Sequence, residues 1–278
     1  MAEEPGWPGE MGRIWAGVAD AMDRQLAGVG EALLSRLAPC PGERVIDLGC
    51  GGGATVLGVA EAVGPGGRVT GLDVSPDLAA LARARTAHLP QVEILETDAA
   101  RHPLPPGSHD ALVSRHGCMF FEDPAAAFAA LRRALRAEGR IALSAFAAPG
   151  ENEWARIPGE AAARVLGPAE PPAPGTPGPF AWAEPETFRA PLAAAGFRDI
   201  AWEARDVSFP LGAGDDPDPV ERACDLVLTL GVVARRAREA GGDAKERLRP
   251  ALRDALAPHV RDGWVRLGAR IWLVTARA

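Results

Sequence analysis

A regular alternation of short apolar runs with longer helical stretches constrains this chain more than any other feature. "ERVIDLG" (43–49) is an apolar run ended by glycine and reads as a buried strand. "ATVLGVAEAVG" (54–64) reads as the helix that follows it. The pattern repeats. "GRVTGLDV" (67–74) precedes "SPDLAALARARTAH" (75–88), whose Ser75 and Pro76 make a good helix start. "QVEILETD" (91–98) and "HDALVSRHG" (109–117) are further strands. The helix "PAAAFAALRRALRAEG" (124–139) leads to a fifth strand, "RIALSAFA" (140–147). Parallel strands need a crossover between them, so this alternation predicts βαβ units and a parallel sheet covered by helices.

The flanks are less regular. Residues 11–37 carry Ile14, Trp15, Val18, Met22, Leu26, Val29, Leu33 and Leu37 at helical spacing and predict one amphipathic helix. "GPAEPPAPGTPGPF" (167–180) predicts an extended linker or lid. A helix in "PETFRAPLAAAGF" (185–197) and a sixth strand in "RDIAWEARDVSF" (198–209) follow. Residues 217–260 read as helical with breaks near Gly241 and Gly242, and "ARIWLVTAR" (269–277) as a final strand.

The turn between the first strand and its helix holds Gly49, Gly51, Gly52 and Gly53. Glycines there let backbone N–H groups approach a ligand closely. Gly49, Gly51 and Ala54 fit a relaxed dinucleotide fingerprint. Asp47 argues against that reading, because a carboxylate in a buried strand needs hydrogen bonds or a cation. A pyrophosphate beside it is unfavourable and an ammonium group is favourable. Asp73 ends the second strand, where a carboxylate can accept from ribose hydroxyls. Asp98 follows the third strand and can accept from an exocyclic amine of adenine, with the backbone N–H of Ala99 beside it. Adenine, ribose and an amino-acid head without phosphate describe S-adenosylmethionine. Two other classes stay open: an NAD(P)-dependent oxidoreductase, opposed by Asp47 and by the lack of a catalytic pair, and a non-catalytic nucleoside-binding module.

"VIDLGCGGG", "GLDVS" and "ETDAA" resemble the cofactor motifs of class I S-adenosylmethionine-dependent methyltransferases. "HDALVSRHGCMFFEDP" and "LRRALRAEGRIALSAF" resemble the segments that follow in the ubiquinone/menaquinone-biosynthesis-type branch. The resemblance is strong over residues 40–155 and fainter beyond. It implies an α/β, Rossmann-like, seven-stranded and mostly parallel sheet with an antiparallel last strand, plus a helical cap. Residues 1–40 would cover the cofactor, though the helix with Trp15 could equally pack on the sheet, and 41–150 form the cofactor-binding core. Residues 151–262 would supply the substrate cap with strand six, and 263–278 the final strand. The implied cofactor-binding residues are Asp47, Gly49, Cys50, Gly51, Asp73, Val74, Asp98, Ala99 and Arg115, the last through its backbone. Arg115's side chain reads equally well as a salt-bridge group. On the substrate side stand His116, Met119, Asn152 and Trp154. His116 is a candidate general base, which predicts activity falling below the ordinary imidazole pKa; the alternative is a histidine that only shapes the pocket. His109 stands where the family places an aromatic, with an expected effect on packing only.

The expected reaction is O-, N- or C-methylation of a hydrophobic small molecule such as a quinone, polyketide, terpenoid or aromatic metabolite. The net charge of −7 disfavours a nucleic-acid partner. No long apolar run or charged leader is present, which predicts a cytoplasmic protein without a membrane span. Cys40, Cys50, Cys118 and Cys224 show no CxxC spacing, so neither a metal site nor a disulfide framework is expected.

Overall fold

The structure is a computed structural model that describes residues 6–173 and 175–278. Residues 1–5 of the expected N-terminal segment and residue 174 of the proline-rich stretch lie outside the described residues. The sheet is built around β1 (Arg44–Leu48), which pairs in parallel with β2 (Arg68–Asp73) on one side and β4 (His109–Arg115) on the other. Beyond β2 lies β3 (Val92–Glu96), and beyond β4 lies β5 (Leu135–Phe146), both parallel. β6 (Arg198–Leu211) is the far edge, and β8 (Trp264–Arg277) runs antiparallel between it and β5. The order is β3-β2-β1-β4-β5-β8-β6, the expected mostly parallel sheet with its last strand reversed. A two-residue strand, β7 (Val260–Arg261), hairpins onto β8. The chain leaves β1 toward β2 and later returns to its other side as β4. The carboxyl ends of β1 and β4 therefore flank the switch point where open α/β sheets bind ligands.

Crossover helices α4 (Ala54–Val63), α5 (Pro76–Thr86) and α6 (Pro124–Ala134) start where the sequence says they should. The Ser75 hydroxyl accepts from the Leu78 N–H at 3.3 Å, and the Asp123 carboxylate from the Ala126 N–H at 2.9 Å. The last helix ends five residues before the predicted Gly139. Its continuation joins β5 instead, with a register shift in which Leu135 faces His109 and Arg140 faces Ala111. The helical periodicity of 135–139 loses there to a bulged strand.

The single helix expected over 11–37 is divided into α1 (Glu10–Gly17), α2 (Ala19–Gln25) and α3 (Ala27–Leu37). The breaks fall at Val18 (φ −120°, ψ 18°) and Leu26 (φ −94°, ψ 7°). Tertiary packing explains them: α1 lies on α5, α2 on β6, and α3 on β4 and β5. A straight rod cannot reach all three. The cap consists of α7 (Glu153–Leu166), α8 (Pro185–Ala194), α9 (Pro219–Thr229), α10 (Val232–Ala240) and α11 (Ala244–Leu256). α11 packs on α7 and α9, while α8 packs on α6. The stretch predicted as helical over 217–260 has a further break at Gly231, whose φ is +90°. Among the described residues no helix is long and apolar enough to cross a membrane.

Two loops meet at the switch point. Gly49 after β1 has φ +65°, and a Cβ placed on it would stand 2.9 Å from the Gly117 Cα after β4. Neither loop can recede, because both are backbone. Gly49→Ala therefore combines left-handed strain with a backbone clash. It should lower stability by about 2 kcal/mol or more, measured by urea unfolding, with cofactor binding lost in parallel.

Candidate active site

Asp47 is the central residue. It is fully buried, and neither carboxylate oxygen has a hydrogen-bond partner among the described residues. Burial pushes its pKa up to about 7; the Arg115 charge pulls it down and Asp73 pushes it further up. The glycine turn wraps this position. The N–H groups of Gly49 and Cys50 both donate to the Leu72 carbonyl, at 2.8 and 3.0 Å. The Gly51 N–H donates to Asp73 Oδ2 at 2.8 Å, and the Ser75 N–H to Asp73 Oδ1 at 2.9 Å. Asp73 thus braces the turn, while each of its oxygens keeps a further lone pair. Burial raises its pKa against these hydrogen bonds. Gly51 has φ +53°, and its missing Cβ would meet nothing within 4 Å. The site therefore offers open space against bare backbone beside an unpartnered buried carboxylate. Both features suit a ligand with a cationic head, and both fit the cofactor the sequence implies.

The other expected cofactor residues are placed unevenly. Cys50 is buried with its thiol pKa raised by desolvation, so it packs under the turn and carries no chemistry. Val74 lies on the rim at 39% exposure. Asp98 is exposed after β3 and closes a local turn, accepting from the Ala100 N–H at 2.9 Å and pairing with Arg101; Ala99 beside it is buried. The Arg115 side chain pairs with Asp23 of α2 at 2.9 Å. Arg85 of α5 joins this network through Asp20 and Asp23, and donates to the Gly52 carbonyl at 2.9 Å. The N-terminal helices are thereby tied by charge to the glycine turn itself. Arg85, Asp20 and Asp23 are not singled out in the sequence, where they read as ordinary solvated charges.

On the other side of the switch point stands His116, in a left-handed conformation (φ +67°) after β4. Its backbone N–H donates to the Ser144 hydroxyl at 3.1 Å. The ring Nδ1 lies 3.3 Å from the same oxygen, and the ring stacks on Phe146 at 4.1 Å. Nε2 is buried without a partner. Burial, helped by the Arg115 charge, drives the pKa down to about 3. That shift favours the neutral ring and moves any pH limb due to His116 below the ordinary imidazole value. Met119 is buried, and its carbonyl accepts from Gly178 at 3.1 Å, tying the proline-rich stretch to the site.

Asn152 departs from its expected role as a substrate contact. Its amide donates to the Ala147 and Ala148 carbonyls, both at 3.0 Å. Its oxygen accepts from Trp154 Nε1 at 3.0 Å and the Arg270 N–H at 3.1 Å. All four of its hydrogen-bonding capacities are spent, so Asn152 brackets α7 to the end of β5. Trp154 presents its ring, stacked on Phe180 and tilted against Phe146 and Phe209. Ser144, Phe146, Phe180 and Phe209 were not legible as site residues, because strand burial explains each of them equally well. His109 is buried between Ser108 and Thr70, at 2.8 and 3.4 Å, a packing role as expected.

Residues 46–143 match the methyltransferase domain family. Over these residues, about a third of the chain, the sequence is similar to a methyltransferase domain. The chain is 36% identical over 147 residues to nocamycin O-methyltransferase from Saccharothrix syringae, covering 51% of this chain and 52% of that protein. It is 33% identical over 118 residues to the aklanonic acid methyltransferase of a Streptomyces strain, covering 42% and 54%. The chain thus spans about half the length of these relatives. Among solved structures, the YcgJ protein of Bacillus subtilis aligns over 90% of this chain and 98% of its own, with TM-score 0.56 and 17% identity. Haemonchus contortus phosphoethanolamine N-methyltransferase 2 aligns over 95% and 56%, with TM-score 0.54 and 18% identity. At these identities the structures share the fold.

The methyltransferase domain carries a stability cost at Asp47. The carboxyl ionises near 3.8 when unfolded and near 7 when folded without ligand, so the folded state holds the proton between those values. The associated stability is full below pH 3.8 and is lost as pH rises through 7. By pH 8 the loss amounts to about 4 kcal/mol. Ligand-free Asp47→Asn should therefore melt above the wild type at pH 8, with the gap closing or reversing at pH 4, as calorimetry would show.

Proposed function

We propose that this chain transfers a methyl group from S-adenosylmethionine to a hydrophobic small molecule. The observation that carries the reading is the pair of buried, unpartnered Asp47 oxygens beside a glycine turn with open backbone. Asp47 accepts from the ammonium of the methionine head. The remaining lone pairs of Asp73 accept from the ribose hydroxyls, with Gly49, Cys50, Gly51 and Val74 forming the turn around them. Asp98 and Ala99 flank the adenine, and Arg115 lends its backbone. When bound, the cofactor supplies a methyl group already activated on a sulfonium. The work left to the chain is to align the acceptor and exclude water.

The acceptor side is the aromatic group around Phe146 and Trp154 together with His116 and Met119, roofed by residues 151–262. Of the N-terminal segment 1–40, the described residues 6–40 close over the cofactor, with α2 latched by Arg85 and Arg115. Relatives named for nocamycin and aklanonic acid support a small-molecule acceptor and, in the first, an oxygen atom. The acidic balance and apolar site favour a cytoplasmic enzyme of secondary metabolism acting without nucleic acid or a resident metal.

Titration calorimetry tests this. S-adenosylmethionine and S-adenosylhomocysteine should bind and NAD should not; NAD at comparable strength would overturn the assignment. Affinity should fall as pH drops below about 7, since a protonated Asp47 no longer attracts the ammonium. Asp73→Ala should weaken binding by ~2 to 4 kcal/mol, the scale of losing charge-assisted hydrogen bonds in a closed site. It should also lower the melting temperature, because the carboxylate braces the turn. Wild-type affinity in that variant would remove the ribose role.

A further inference from the structure

The Ser144 hydroxyl has one proton and, among the described residues, two hydrogen-bonded neighbours, both on His116. The backbone N–H can only donate, so the hydroxyl accepts there. Its own proton then has one buried acceptor in reach, ring Nδ1. A neutral imidazole has a single proton, and with Nδ1 accepting, that proton sits on Nε2. The opposite tautomer would strand the hydroxyl proton as well as Nε2, leaving two buried polar groups unsatisfied instead of one. Burial, with the Arg115 charge, lowers the ring's pKa against an opposing hydrogen bond to the Ser144 backbone and so favours the neutral form.

Nε2–H is therefore a buried donor awaiting an acceptor atom. Its surroundings describe the molecule that brings one. The imidazole lies flat on Phe146, with an interplanar angle of 16°. Phe146 adjoins Trp154 at 4.7 Å, Phe180 at 6.0 Å and Phe209 at 6.1 Å. The one polar hydrogen of Trp154 is already spent on Asn152. Among the described residues, then, Nε2–H lies unpartnered beside a cluster of aromatic rings.

We infer that His116 donates a hydrogen bond from Nε2 to a carbonyl, phenolate or enolate oxygen of a flat, conjugated methyl acceptor, and so selects and positions that acceptor. The inference rests on the methyltransferase reading. It assigns no proton abstraction to the ring: a donor there stabilises the anionic form of a phenol or enol, which gives up its proton to solvent water before it is held. The carboxylate of the cofactor is the other oxygen that could reach the donor. The aromatic contacts favour the acceptor side.

Nuclear magnetic resonance on the full chain labelled with 15N-histidine tests this directly. Long-range 1H–15N correlations at pH 7 should show His116 protonated at Nε2 and bare at Nδ1, with that preference lost in Ser144→Ala. A dominant Nδ1–H form or an imidazolium in the wild type overturns the proposal, whether or not the variant folds. S-adenosylhomocysteine alone should leave the Nε2–H resonance nearly unmoved; adding 1-tetralone should shift it downfield, and tetralin should not. A full shift with S-adenosylhomocysteine alone assigns the donor to the cofactor and overturns the proposal, as does an equal or absent response to the two ring compounds. His116→Phe keeps a ring against Phe146 and should abolish a preference of about tenfold or more for 1-tetralone over tetralin. If S-adenosylhomocysteine fails to bind, the methyltransferase reading fails, while the tautomer of the ligand-free chain is still read independently.

Discussion

A carboxylate without a partner, buried at the end of a parallel strand, is the constraint around which this molecule is arranged. Asp47 has no exposed surface and, among the described residues, no hydrogen bond, and that burial pushes its pKa up. A structural acid in this position would have been given donors, as Asp73 is. Leaving Asp47 bare costs ligand-free stability, a common bargain at functional sites. The fold makes the bargain possible by pairing β1 on both sides, so that its end is held in register by β2 and β4 while the side chain has nothing to bind.

Around that carboxylate the polar groups divide into those that hold the site and those that await a ligand. Asn152 spends every hydrogen bond on backbone and Trp154, and Arg85 reaches from α5 to Gly52 and to α2. These fix the cap and the N-terminal helices onto the two loops that meet at Gly49 and Gly117. Asp47 and His116 remain, each with buried polar atoms that have no partner among the described residues, on either side of the gap between β1 and β4.

The same division marks what could be read in advance. The βαβ alternation, the glycine turn and the acids Asp47, Asp73 and Asp98 were legible, because strand ends and glycine turns leave local signatures in spacing and residue type. The antiparallel placement of the last strand came only from family resemblance, since a lone apolar run carries no direction. The three-way division of residues 11–37 was not legible. Its periodicity is unbroken, and the breaks arise because α1, α2 and α3 must reach different elements. The bracketing role of Asn152 was not legible for a related reason. Family resemblance suggested a substrate contact, and its four partners, up to 118 residues away, appear only in the fold.

The sequence by itself determined the class of fold, the position of the glycine turn at the carboxyl end of β1 and the acids around it, since each follows from residues adjacent along the chain. Only the tertiary structure decided what His116 can do. Its protonation and tautomer depend on Ser144, Phe146 and Arg115, which strand pairing and burial bring to one ring. A histidine at the end of a strand is a base, a donor or a filler according to the dielectric and the hydrogen-bond partners around it, and those are properties of the packed molecule.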